Sequence, residues 1–527
     1  MLGQIFSQLF RRTPDTAGKS IPLAHDARTA TTDSRALLRQ WLAADVHPPF
    51  TLADLQADPR RCQVALALAT GQELPAARTA AQALTALDPS SMIDRLLLAE
   101  VLLRLGDIAK AQEITQEALA DAGTMGARAA SMQAEQALFL GRIRVARELA
   151  ERALAAAPEA LGPHVVLACA LDAQGPAHKD NYQRALRHHE RAMMLRLDSP
   201  MPRFHLAGSL LRRGQLREGL MQWVLVEIQG GIYTNREKCP VWTGAPLQGQ
   251  SLLLISHSGL GDMVQFLRFA GILRERSPRA RLVFLTSAPV ARLARATGWF
   301  DAVHEQSLQG EDFDWQVTIT HLPLLLDIQA SDLRKTEPYL AVPAEQIHSA
   351  ALGLPKPVPG RRRVGLRWAG NAGLLDAKRN IPLELCAPWF AVPDIDWVAL
   401  VEDGQAAAQA RNAGLTVPTT RLGDFQDTGA VMCNLDLIIS VDTSVANLAG
   451  ALNLPTWVLS RPDPDWRWGE SGPDSPWYGS ARVFRHPPGE GLDWKAMVSE
   501  VESALREWVA SHAAAPVSAK AAGLPAA

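Results

Sequence analysis

The sequence predicts an α + α/β chain, with an all-helical repeat array in its first half and alternating strands and helices in its second. Three observations predict this. Alanine- and leucine-rich helical patterning fills roughly residues 35–230, almost without strand-like segments. Within it Gly71, Gly106 and Gly141 fall 35 residues apart. Beyond Pro240 the texture changes to short apolar runs separated by helical stretches, the pattern of parallel sheets in open layers.

The array rests on more than its glycines. Ala111 and Ala118 follow Gly106; Ala146, Ala153 and Pro158 follow Gly141; Ala185, Ala192, Gly214 and Gly219 continue less regularly. Glycine permits a tight turn between paired helices, and proline ends the second helix of a pair. Small alanines let the helices approach closely. A plain bundle has no reason to repeat this order at one interval, so a solenoid of four to five repeats is expected over residues 35–235. An insertion around Gly175 to Asp180 loosens its register. The period resembles that of the tetratricopeptide repeat, and the resemblance implies a groove that recruits a protein or peptide.

In the second half, Leu252–Ile255, Leu282–Leu285, Val364–Trp368, Trp397–Val401, Leu437–Val441 and Thr456–Leu459 read as strands, and Met263–Arg274 as a helix. Gly353–Arg363, with three prolines and a basic triplet, reads as a linker. It separates a first layer at 240–350 from a second at 361–510. Residues 1–34 are expected to be a flexible segment and 511–527 a disordered tail.

Composition narrows the function classes. The 527 residues are 47% hydrophobic and 20% charged, which is globular. A net charge of −2 supplies no field to gather nucleic acid or an anionic membrane. The five cysteines are scattered without C-x-x-C spacing, so neither a structural zinc site nor a disulfide framework is expected. The apolar run within Met1–Arg12 is too short for a signal-peptide core, and nothing approaches the roughly 20 apolar residues of a transmembrane segment. A cytoplasmic location is expected.

Three loops could carry chemistry. Ser256-His257-Ser258-Gly259-Leu260-Gly261-Asp262 joins a strand to a helix. Gly259 and Gly261 allow a sharp turn and close ligand approach, and Asp262 falls where a helix N-terminus favours a carboxylate. The G-x-x-x-x-G-K-[ST] phosphate loop is absent, and taken alone Asp262 is as well explained as a helix cap. In the second loop Asp442, Thr443 and Ser444 occupy a strand-to-helix turn whose amides and hydroxyls suit a diphosphate; an ordinary N-cap reads equally well. The third runs from Arg367-Trp368-Ala369-Gly370-Asn371 to Lys378-Arg379-Asn380 and offers cations near a glycine-containing turn.

Several segments in order resemble the bacterial tetratricopeptide-repeat glycosyltransferases, relatives of the lipopolysaccharide heptosyltransferases (glycosyltransferase family nine). They are Pro240-Val241-Trp242-Thr243-Gly244 leading to Gly259-Leu260-Gly261-Asp262-Met263-Val264-Gln265-Phe266-Leu267-Arg268-Phe269, Arg379-Asn380-Ile381-Pro382, Val441-Asp442-Thr443, Asp465-Trp466-Arg467-Trp468 and Asp474-Ser475-Pro476-Trp477-Tyr478. The resemblance spans about residues 240–510. It implies a GT-B-type pair of Rossmann-like α/β domains and an enzyme that moves sugar from a nucleotide-sugar donor to a protein or glycan acceptor. It makes Asp262 the general base, with Thr443 and Ser444 on the donor diphosphate and Arg379 balancing its charge. Gly259, Gly261, Asn371, Asp442 and Asn447 complete the donor-binding set. Inversion at the anomeric carbon and transfer without metal or further cofactor are implied too, and no D-x-D-like carboxylate pair stands in a suitable loop. Two departures bear on activity. Asn447 stands where relatives commonly carry histidine, and His257-Ser258 where many show Glu-Gln. An inactive relative serving as a repeat scaffold is the alternative. A different nucleotide-dependent α/β enzyme, such as a sugar epimerase, is opposed by the missing G-x-G-x-x-G.

Overall fold

A computed structural model describes residues 55–512, except 71–72, 106, 121–125, 176–178, 198, 234–238, 306–307, 309, 334–336, 371–377, 403 and 487–490. The expected flexible segment at 1–34, the tail from 513 onward, and Gly71, Gly106 and Asn371 lie outside the described residues.

The first half is helical throughout its described part. In chain order it comprises α1 (Pro59–Thr70), α2 (Leu74–Leu87), α3 (Met92–Arg104), α4 (Ile108–Ala120), α5 (Gly126–Phe139), α6 (Ile143–Ala156), α7 (Leu161–Ala173), α8 (Lys179–Leu195), α9 (Pro200–Arg212) and α10 (Leu216–Gln229). They pack in five consecutive pairs. The first members begin at Pro59, Met92, Gly126, Leu161 and Pro200, so the period is close to the glycine spacing and stretches only across the insertion. On α6, Ile143, Ala146, Ala150 and Ala153 form the buried stripe, three or four residues apart as a helix requires. Gly141 turns the chain between α5 and α6 at φ 71°. Gly219 is demanded by closeness, since a β-carbon there would meet Leu211 Cγ at 2.6 Å.

Two parallel sheets follow. The first contains β1 (Ser251–Ile255), β2 (Arg281–Leu285), β3 (Ala302–His304) and β4 (Trp315–Thr318), ordered β3-β2-β1-β4. The second contains β5 (Arg362–Arg367), β6 (Ile395–Ala399), β7 (Leu437–Val441), β8 (Thr456–Ser460) and β9 (Ala481–Arg485), ordered β6-β5-β7-β8-β9. Strand order reverses between β1 and β4 in one sheet and between β5 and β7 in the other. Open parallel sheets bind ligands beyond the carboxyl ends of strands at such switch points. The three candidate loops leave β1, β5 and β7.

The longer helices of this half among the described residues are α11 (Leu260–Arg276), α12 (Ala288–Ala296), α13 (Ala344–Leu352), α14 (Gln405–Asn412), α15 (Phe425–Met432), α16 (Ser444–Ala451) and α17 (Lys495–His512). Two boundaries differ from those expected. α13 packs on α15, with Gln426 Nε2 donating to Gln346 Oε1 at 2.7 Å and Asn434 Nδ2 to the Ile347 carbonyl at 2.9 Å. The chain is therefore already in contact with a helix of the second layer before residue 350. α17 runs to His512, past the expected start of the tail, because Trp508 and Val509 still pack on the core of the second sheet.

One apolar cluster runs from Leu220 and Ile228 of the array through Leu252 and Phe266 to Leu448 and Trp468 of the second layer. The array is thus built onto the α/β half. Its strongest polar seam is buried: Glu227 of α10 accepts from Thr318 at 3.0 Å, Thr320 at 2.7 Å, Trp223 at 2.9 Å and His321 at 2.9 Å. Burial by itself would raise the Glu227 carboxyl, but bonds from His321, Thr320 and Trp223 outweigh it and hold the group below its usual range. A lowered carboxyl stabilises the fold above the ordinary glutamate range, and that stability drains as pH falls through the lowered value. Glu227→Gln is expected to cost about 1–3 kcal/mol at neutral pH and to flatten the acid limb of a plot of Tm against pH. An acid limb identical to wild type would contradict this assignment.

Candidate active site

β1 ends at Ile255, and the chain turns through the exposed Gly259 into α11. Asp262 lies in the first turn of that helix, where its Oδ2 accepts from the Gly259 amide at 3.0 Å. Its Oδ1 pairs with Arg467, which arrives from the second layer on the short 3-10 turn Trp466–Trp468. Asp262 is therefore both a cap of its own helix and half of a bond between layers.

Arg467 is the centre of a small polar cluster. It is buried, donates from Nε to Gln265 Oε1 at 2.6 Å and from Nη1 to Asp465 Oδ1 at 2.7 Å, and lies 4.2 Å from the centroid of the Trp466 ring. Burial brings its pKa down to about 10, where it is still charged at neutral pH. Burial, and next the neighbouring Asp442 carboxylate, push the Asp465 carboxyl up to about 7, against the pull of the Arg467 amide.

On the second layer β7 ends at Val441 and α16 begins at Ser444. Thr443 occupies the N-cap position, but its hydroxyl makes no cap bond and instead lies 3.1 Å from Ser440 Oγ. No N-cap side-chain bond therefore engages the first amides of α16, which is what an incoming anion needs. Arg379 Nη1 donates to the Asp442 carbonyl at 2.6 Å, joining the β5 and β7 loops. The Asp442 side chain is 6% exposed.

The two layers meet at these loops. A β-carbon on Gly261 would lie 2.9 Å from Asn447 Nδ2 and 3.6 Å from Ser444 Cα, so the first turns of α11 and α16 touch. Two helix N-termini, each carrying about half a positive charge, converge there. Asn447 is 3% exposed; its Nδ2 donates to the Thr443 carbonyl at 3.2 Å and its Oδ1 accepts from Tyr478 at 2.9 Å. Both of these bonds lie within the second layer, and they occupy the Asn447 amide where it sits beside Gly261 of the first layer. The contact is reinforced by Arg268 of α11, which donates to the Leu333 and Trp477 carbonyls at 2.8 and 3.2 Å and lies 4.3 Å from the Tyr339 ring centroid.

The structure thus gathers Gly259, Gly261, Asp262, Arg379, Asp442, Thr443, Ser444 and Asn447 around one junction. Among the described residues no group of three or more His, Cys, Asp or Glu side chains is placed to hold a metal ion, and no helix is long and apolar enough to cross a membrane.

No protein-family model matches the sequence. The chain is similar to protein FlbA of Caulobacter vibrioides, 26% identical over 299 residues, which are 51% of this chain and 48% of that protein. It spans about half the length of this curated relative. Among solved structures it is similar to a glycosyl transferase family 9 protein of Veillonella parvula, at a TM-score of 0.37 and 13% identity over 51% of this chain and all of that one. It is similar to ADP-heptose lipopolysaccharide heptosyltransferase II of E. coli, at 0.37 and 14% over 50% of this chain and 100% of that chain. The same comparison gives MamA of strain AMB-1, at 0.26 and 17% over 33% of this chain and 99% of that chain.

Residues that sequence reasoning left without a role are as central as those it chose. Arg467, Gln265, Tyr478 and Arg268 build the junction; all four stood in motifs that carried the resemblance, yet none was given a role. The available signal was the setting of Arg467, a lone cation between two tryptophans and after an aspartate.

Proposed function

We propose that this chain is a GT-B-type glycosyltransferase that moves a sugar from a nucleotide-sugar donor to a protein or glycan acceptor. The observation that carries this reading is the meeting of strand-end loops from two parallel sheets, at the switch point of each, around Asp262 and the free N-terminal turn of α16. Thr443, Ser444 and the amides behind them would hold the donor diphosphate, and Arg379 would offset its charge as it leaves. Asp262 would take the proton of the acceptor hydroxyl while that oxygen attacks the anomeric carbon from the opposite face, inverting it. The reaction needs no metal on this reading, and the protein works in the cytoplasm. The array, held against both layers, recruits the acceptor.

The scaffold alternative has one specific observation in its favour. Both oxygens of Asp262 are already engaged, by Gly259 and by Arg467.

A panel of nucleotides and nucleotide sugars scored by thermal stabilisation separates the two. A true donor at a hundred times its Kd should stabilise the full chain by about 2.7 kcal/mol, and Arg379→Gln should remove most of that. A flat panel, or stabilisation unchanged in Arg379→Gln, would reject the donor site.

A further inference from the structure

A second site lies where the array meets the far side of the second sheet. A cavity of about 230 Å³ sits at the carboxyl ends of β8 and β9, and the array closes it. Its charged walls are Asp172 at the end of α7, Arg212 at the end of α9, Arg461, Glu470, and Arg485 with His486 at the end of β9.

The acids of this wall are already committed. Asp172 pairs with His189 at 2.9 Å and with Arg213 at 2.9 Å, and Glu470 lies 3.3 Å from the same Arg213. Asp463, just outside, pairs with Arg461 at 3.2 Å and Lys378 at 3.5 Å. Two cations make no direct ion pair among the described residues, although Arg212 lies within electrostatic reach of Asp172, Asp463 and Asp465. Arg485 is clamped by the carbonyls of Trp468, Gly469, Ser471 and Gly472 at 2.5–3.3 Å, which fix its position without neutralising its charge. Arg212 Nε is buried and has no hydrogen-bond partner among the described residues. Arg212 also lines the neighbouring cavity of about 360 Å³ at the turn into α10, so the residue borders open space on two sides.

Burial and the nearby Arg212 both press the Arg485 pKa downward. Two guanidinium groups bordering one half-enclosed pocket repel one another, and an anion seated between them would relieve that repulsion more directly than the carboxylates around them, which are paired elsewhere. A forked guanidinium with free N–H groups is the side chain that best receives a planar or tetrahedral oxyanion.

We propose that this cavity binds a small oxyanion, a phosphate or carboxylate group, through Arg212 with Arg485 behind it. The site borders the Asp262 junction through Asp465 and Trp468 but does not use Asp262 or Arg379, and the proposal stands whether or not the chain transfers sugar. Because one wall is array and the other is sheet, the anion would fasten the two together. It could be a free metabolite or an acidic group carried by the acceptor.

Titration calorimetry on the full chain tests this with inorganic phosphate at fixed ionic strength, against chloride as control. Wild type should bind phosphate, and Arg212→Gln should weaken it by about 10–100-fold. Arg212→Lys, which keeps the charge but loses the fork, should fall between them. Arg379→Gln, at the donor junction, should bind phosphate as wild type does. Malonate in place of phosphate identifies the preferred oxyanion, and displacement of phosphate by an oligoglutamate peptide distinguishes a carried acid from a free one. Phosphate affinity unchanged in Arg212→Gln, absent in wild type, or lost in Arg379→Gln instead would overturn the assignment.

Discussion

Asp262→Asn is expected to lower the transfer rate by about 10²–10⁴-fold, the usual contribution of a positioned general base, while donor affinity changes little. Asparagine keeps an oxygen that can accept from the Gly259 amide, so the turn into α11 should persist. What disappears is the ability to take a proton and the charge that faces Arg467. Initial rates with saturating donor, set beside calorimetric donor binding, separate these effects. A variant that transfers at the wild-type rate would leave Asp262 as a cap and an interlayer bond only.

Arg467→Gln should be the most damaging single change to the junction. It strips the cation from a buried site and leaves the carboxylates of Asp262 and Asp465 without it. Removing one partner of such a buried pair costs roughly 3–5 kcal/mol, and denaturant unfolding should show that loss. If Asp262 and Arg467 act as one unit, the double variant will be less impaired than the sum of the singles, with a coupling of about 0.5–3 kcal/mol. Purely additive losses would mean that the pair contributes nothing jointly.

Much of the fold was legible because its signals are local. Fixed-interval glycines and alanines mark the array, and continuous apolar runs mark β1, β2, β7 and β8. The strands that escaped notice lack such runs. β3 is a three-residue edge strand, half-buried throughout, and β9 alternates arginines with apolar residues. The end of α17 was hidden for a similar reason. Its last turns are held by Trp508 and Val509 against the sheet, a contact that no pattern within the helix announces.

At the candidate site, the sequence exposes the strand-end loops, since glycines, an aspartate and hydroxyls at a strand-to-helix turn are contiguous. It does not expose which side chains cross between layers. Arg467 is 205 residues from Asp262, and Arg268 is 209 from the Trp477 carbonyl it donates to. Nor does it reveal that the array is anchored through Glu227 and Arg213, because a buried network is readable only once its partners are assembled. Asn447 illustrates the point: as a letter it looks like a lost histidine, whereas in space its amide is taken up by Thr443 and Tyr478, close beside Gly261.

The claim on which all this depends is that one ligand is gripped by both layers at once. Hydrogen exchange measured with and without a stabilising nucleotide sugar examines it directly. Protection is expected to rise together in the segment around Gly259–Asp262 and in that around Asp442–Ser444, with the outer helices of the array unchanged. Protection confined to a single layer, or found only away from both segments, would contradict the shared site.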